Sequence, residues 1–127
     1  ALCGAKDLIA QAQRIGKMLG GGMRQAGVLA AGALHAVDHH VERLADDHAN
    51  AQRLAAGLQG LPGVTVEPPQ TNILFVDLNP ARAAGVVARL REAGVLCTGL
   101  YRLRLVTHLD VSAAAVDRAI AILRATL

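Results

Sequence analysis

Aromatic side chains are nearly missing from this chain of 127 residues, which has no Trp, one Tyr and one Phe. Its core must therefore be built from Ala, Leu and Val, side chains that let helices pack closely. A nucleic acid would find almost nothing for its bases to stack on. The basic excess is also small, formally +3, with arginines scattered among acids, so no nucleic-acid partner is expected. Cysteine is scarce too: Cys3 and Cys97 lie far apart and form no CxxC spacing, which argues against a disulfide framework or a zinc site. Reduced thiols in a cytoplasmic protein fit better. No apolar run reaches about 18 residues and no positively charged leader precedes one, so neither a membrane span nor a signal peptide is expected. The length suits one domain with a real core and is too short for two ordinary ones.

What is present is periodicity. Ala1-Leu2-Cys3-Gly4 is a short apolar run stopped by glycine, resembling the tail of a strand and suggesting a chain cut from something larger. Lys6 to about Met18 reads as a helix, with Leu8, Ile9, Ala12 and Ile15 toward one face. From Arg24 to about Leu58 apolar residues recur at alternating steps of three and four: Leu34, Val37, Val41, Leu44, His48, Ala51, Ala55 and Leu58. That spacing predicts one long helix, roughly 50 Å at 1.5 Å per residue, ended by Gly57, Gly60 and Pro62.

Beyond Pro62 the period changes to two. Val64 to Val66 and Asn72 to Leu78 read as strands separated by Pro68-Pro69. Asn79-Pro80 opens a helix through Val86, Val87 and Leu90 that stops at Gly94. Val95 to Thr98 and Arg102 to Thr107 read as two more strands, and Ser112 caps a final helix striped by Val116, Ile120 and Leu123. The predicted fold is α+β: a long helix followed by a β-β-α-β-β-α unit with a small, mainly antiparallel sheet.

The candidate chemistry gathers in two places. Lys17 and Arg24 flank Gly20-Gly21-Gly22, which reads either as a plain interhelix turn or as a loop whose backbone N–H groups and guanidinium receive an anion. Arg104 lies in Arg102-Leu103-Arg104-Leu105-Val106, where the leucines face one way and both arginines the other. A solvated sheet face accounts for that pattern as well as a binding residue does. His35 and His39 are four apart on a helix face, but HExxH is absent and no third ligand suggests itself, so no metal site is expected.

Four ordered segments resemble low-specificity threonine aldolases, fold-type I pyridoxal-phosphate enzymes. They are Arg14-Ile15-Gly16-Lys17 through Arg24 to Ala31, Val41 to Ala51, Thr71-Asn72-Ile73-Leu74-Phe75-Val76-Asp77, and Arg104-Leu105-Val106-Thr107-His108-Leu109-Asp110-Val111-Ser112. What they cover is the C-terminal part of such an enzyme. The family's Schiff-base lysine lies upstream of the point that Ala1 matches, and neither Lys6 nor Lys17 sits in its setting.

The resemblance implies that residues 1–23 are the tail of the large cofactor-binding domain, 24–60 a connecting helix and 61–127 the small C-terminal domain. It implies that Arg104 grips the α-carboxylate of a β-hydroxy amino acid, that Lys17 faces the substrate, and that Arg24 helps to hold the phosphate of pyridoxal 5'-phosphate. His108 and Asn72 belong to its signatures, although a polar residue at a strand end commonly satisfies backbone groups. The implied whole is a homo-oligomer, dimer or tetramer, releasing glycine and an aldehyde, and this chain alone would be inactive. A stand-alone dimerisation or regulatory module and a related pyridoxal-phosphate lyase are the alternatives.

Overall fold

A computed structural model describes residues 2–127. Its contacts divide the chain into two compact units, Ala1–Val41 and Glu42–Leu127.

The first unit holds α1 (Lys6–Met18) and α2 (Gly27–His39), neither of which buries a residue. Of the strand tail expected at the start, Ala1 lies outside the described residues and Leu2 to Gly4 take no regular structure. α1 ends in a double-bonded cap: the Gly20 N–H donates to the Lys17 carbonyl (3.1 Å) and the Gly21 N–H to the Gly16 carbonyl (2.8 Å). Gly20 stands there at φ +86, the left-handed position that terminates a helix at low steric cost.

The second unit runs α3 (Leu44–Leu58), β1 (Val64–Val66), β2 (Ile73–Leu78), α4 (Pro80–Ala83), α5 (Val86–Glu92), β3 (Arg102–Val106) and α6 (Ala113–Thr126). Among the described residues the sheet has three strands in the order β1-β2-β3, both pairs antiparallel. Alternation does the sorting. Leu74, Val76 and Leu78 of β2 and Leu103 and Leu105 of β3 are buried against Leu54, Ala55 and Leu58 of α3, Val86 and Leu90 of α5, and Val116 and Leu123 of α6. Each such leucine contributes about 1.5–3 kcal/mol of transfer free energy. The α+β class is as expected.

Three elements differ from the expectation. The continuous helix over 24–58 is two helices, because residues 40–43 form a turn in which the Ala45 N–H bonds back to Glu42 (3.4 Å) and the Asp46 N–H to Arg43 (3.0 Å), three residues rather than four. The apolar steps of three and four continue across this turn in the sequence, which is why one helix is expected there. On α3 itself the buried face begins at Asp47, while Leu44 is exposed. The helix expected from Pro80 to Gly94 is likewise two, divided where Gly85 takes a left-handed conformation. The strand expected over 95–98 is reduced to one bridge, Thr98 opposite Arg104.

The predicted caps are in place. The Asn79 side chain accepts from the Ala81 N–H (3.0 Å) and the Ser112 hydroxyl from the Ala115 N–H (3.2 Å). Among the described residues, no helix is long and apolar enough to cross a membrane.

Candidate functional site

The outward face of the sheet is where the second unit sets its chemistry. Because inward positions are leucine and valine, the residues between them point out: Thr65 and Glu67 from β1 and its extension, Phe75 and Asp77 from β2, Arg102 and Arg104 from β3. Register arranges them in rows. Asp77 lies opposite both Thr65 and Arg102, and Phe75 lies opposite Arg104. The Glu67 N–H donates to the Phe75 carbonyl (3.1 Å), which brings Glu67 to the end of the Arg104 row.

The two arginines of β3 are in different circumstances. Arg102 is committed: it pairs with Glu67, lies 3.7 Å from an Asp77 carboxylate oxygen, and has its guanidinium 4.6 Å from the centre of the Phe75 ring. Arg104 is exposed, and its side chain makes no hydrogen bond or ion pair among the described residues. Its backbone is held from the other side, the Arg104 N–H donating to the Thr98 carbonyl at 2.7 Å. A fixed backbone with an uncommitted planar fork is what bidentate recognition of a carboxylate requires.

In the first unit, Lys17 is in the last turn of α1 and its ammonium lies over the glycine loop, 2.9 Å from where a Cβ on Gly22 would stand. Arg24 is exposed in the turn before α2. Neither side chain is ion-paired among the described residues. Gly20 and Gly21 cap α1, and the Lys17 ammonium stands beside that cap. The His35 ring meets that of His39 in a tilted contact and that of His40 edge-on, with ring centres 4.5 Å and 5.4 Å away. Among the described residues, no group of three or more His, Cys, Asp or Glu is placed to hold a metal ion.

The strand-end signature residues do structural work. The His108 ring nitrogen Nδ1 accepts from the Asp110 N–H at 3.3 Å, and the Asn72 side chain donates to the Thr107 carbonyl at 2.8 Å. Sequence reasoning gives Thr107 no role beyond its place at the strand end and in the resembling run, yet its buried hydroxyl donates to the Asp47 carbonyl at 2.7 Å. Arg43 and Asp47 were missed as well; they form an ion pair of 2.5 Å at i and i+4. Their spacing was a signal that could have found them.

A cleft of about 660 Å³ opens between α3 and the segment before α6, lined in part by Arg43, Asp46, Asn50, Arg53, Leu109 and Ser112. Both of its arginines are committed, Arg43 to Asp47 and Arg53 to Asp117 through bonds of 2.6 and 2.7 Å. Its uncommitted charge among the described residues is an acid, Asp46, where the sheet face offers the cation Arg104.

The profile of the beta-eliminating lyase family matches residues 1–81. The low specificity L-threonine aldolase of Escherichia coli K12 is 43% identical over 111 residues, which are 87% of this chain and 33% of that protein. The probable low-specificity L-threonine aldolase 2 of Arabidopsis thaliana is 40% identical over 118 residues, again 87% and 33%. The chain thus spans about a third of the length of the curated relatives it matches. Among solved structures, a cystine C-S lyase in complex with its product cysteine persulfide aligns at a TM-score of 0.61 and 21% identity, covering 78% of this chain and 28% of that one. The aminotransferase TlmJ from Streptoalloteichus hindustanus aligns at 0.56 and 19%, covering 65% and 31%. At such identities the likeness is one of fold.

Proposed function

The chain belongs to the beta-eliminating lyase family, and from that premise we propose that it is the C-terminal part of a pyridoxal-phosphate-dependent aldolase cleaving threonine or allo-threonine type β-hydroxy amino acids to glycine and an aldehyde. In this reading residues 1–23 close the large cofactor-binding domain, 24–60 connect, and 61–127 form the small domain. The 43% identity to a threonine aldolase supports the reaction class. The observation that carries the site is Arg104, an exposed guanidinium without a partner among the described residues, within the Arg-Leu-Val-Thr-His run.

The residues present suit an anionic cofactor and an amino-acid substrate, since Lys17, Arg24 and Arg104 are cations with no ion pair among the described residues. When bound, the cofactor supplies the electron sink for breaking the Cα–Cβ bond. Arg104 grips the α-carboxylate with two parallel N–H···O bonds and so fixes the rotation about Cα that selects which bond breaks. Lys17 faces the substrate and Arg24 reaches the phosphate. The enzyme works in the cytoplasm as a homo-oligomer, dimer or tetramer. The exposed Val28, Leu29, Leu34 and Val37 of α2 favour assembly.

The test is kinetic. In the full-length enzyme, Arg104→Lys keeps the charge but loses the fork, and the KM for threonine should rise at least about ten-fold, equivalent to about 1.4 kcal/mol. An unchanged KM would remove Arg104 from the site. The purified 127-residue chain should release no glycine from threonine, and release would overturn the expectation that it is inactive alone.

A further inference from the structure

The same sheet face carries two carboxylates that a free arginine could be drawn to. Glu67 stands in the Arg104 row, one strand beyond Phe75. Asp77 is diagonal to Arg104, a separation that long side chains span on one face of a sheet. An Arg104 drawn to either acid would no longer present its fork to a substrate. Arg102 occupies both acids instead. It crosses the Phe75 ring to reach Glu67, passes within 3.7 Å of Asp77, and lies 4.6 Å above the ring centre. Register alone favours Arg102 only for Asp77; its hold on Glu67 is a diagonal reach supported by the aromatic face beneath it.

We infer that Arg102 is a positioning residue for substrate binding: by holding Glu67 and Asp77 against Phe75, it leaves Arg104, among the described residues, the one uncommitted guanidinium on this face for a substrate carboxylate. The inference rests on the reading of Arg104 as the carboxylate grip. Two cations and two acids share the face, and the partition between them decides whether the grip is open. Arg102 itself does not touch the substrate. A lysine would serve the same end less well, since its point charge can answer one carboxylate well but not both.

The experiment uses the full-length enzyme and threonine, with circular dichroism to confirm that each variant folds. Arg102→Gln should raise KM roughly two- to five-fold, the upper range over which exposed ion pairs act, with kcat changed less. Arg102→Lys should fall between Arg102→Gln and the parent. Removing the competing acids as well, in Arg102→Gln/Glu67→Gln/Asp77→Asn, should return KM to near the parent value, which a purely structural role for Arg102 would not do. An unchanged KM in Arg102→Gln, or a raised KM that the triple variant fails to restore, overturns the inference. If Arg104→Gln itself leaves KM unchanged, the reading of Arg104 fails instead, and the two failures are distinct.

Discussion

The hydroxyl of Thr107 donates to the backbone carbonyl of Asp47 across sixty residues of sequence, at 2.7 Å and with both residues almost fully buried. It ties the end of β3 to the first half of α3. The Thr107 N–H donates to the Asn72 carbonyl at 3.0 Å, so the start of β2, the end of β3 and α3 meet at one residue. Thr107→Val keeps the shape and removes the donor. The expected loss is about 1 kcal/mol, the net worth of a typical internal hydrogen bond. Urea unfolding should show a lower midpoint with an unchanged slope; an unmoved midpoint would mean that the bond contributes nothing.

Gly57 and Ile120 set a test with opposing terms. In the interior of a helix, Gly→Ala ordinarily gains about 1 kcal/mol. Here the new methyl would stand 2.7, 2.8 and 2.9 Å from Ile120 Cδ1, Cγ2 and Cγ1, and such overpacking costs about 1–3 kcal/mol. Gly57→Ala should therefore destabilise. In an Ile120→Ala background the obstruction is gone, and Gly57→Ala should stabilise relative to Ile120→Ala alone. A double-mutant cycle measures this, and the same sign in both backgrounds contradicts it.

Gly99 is required by close approach. It has φ +123, and a Cβ there would fall 2.0 Å from the Arg102 carbonyl oxygen, which is backbone and cannot turn aside. Gly99→Ala should open the turn between Thr98 and Arg102 at a cost of about 2 kcal/mol or more. The local readout is amide exchange at Arg104, whose N–H donates to Thr98. That exchange should accelerate, and unchanged protection would count against the geometry.

The two thiols should separate chemically. Burial pushes the Cys97 thiol above its ordinary pKa, whereas Cys3 is exposed. At pH 8 iodoacetamide should label Cys3 first, because only thiolate reacts. The raised pKa also has a consequence for stability. The folded thiol holds its proton when the unfolded one releases it, so stability is fully present below the unfolded value, about 8.5. It declines as pH climbs from there toward the folded value. Cys97→Ser should flatten that decline, and equal labelling rates for the two thiols would refute the assignment.

How much of this could be read in advance depends on the distance over which each feature is decided. Local chemistry was legible: Asn79 and Ser112 cap their helices, Gly94 ends one, and alternation sorts the leucines of β3 inward and its arginines outward. The break at residues 40–43 was not, because apolar residues keep their steps of three and four in the sequence on both sides of it. Nor was the reduction of 95–98 to a bridge, since a short apolar run does not say whether a partner strand will accept it.

The sequence by itself determined the α+β class, the positions of most elements and the family, because caps, periods and ordered motifs are written in neighbouring residues. Only the tertiary structure decided which arginine of β3 is committed and which has no partner among the described residues. Arg102 and Arg104 are indistinguishable by spacing. They differ because the register of β2 and β3 places Asp77 opposite one and Phe75 opposite the other, and because Glu67, thirty-five residues away from Arg102, arrives within reach across the sheet. Pairing between distant strands sets the distances on which the ion pairs depend, and no short stretch of sequence encodes it.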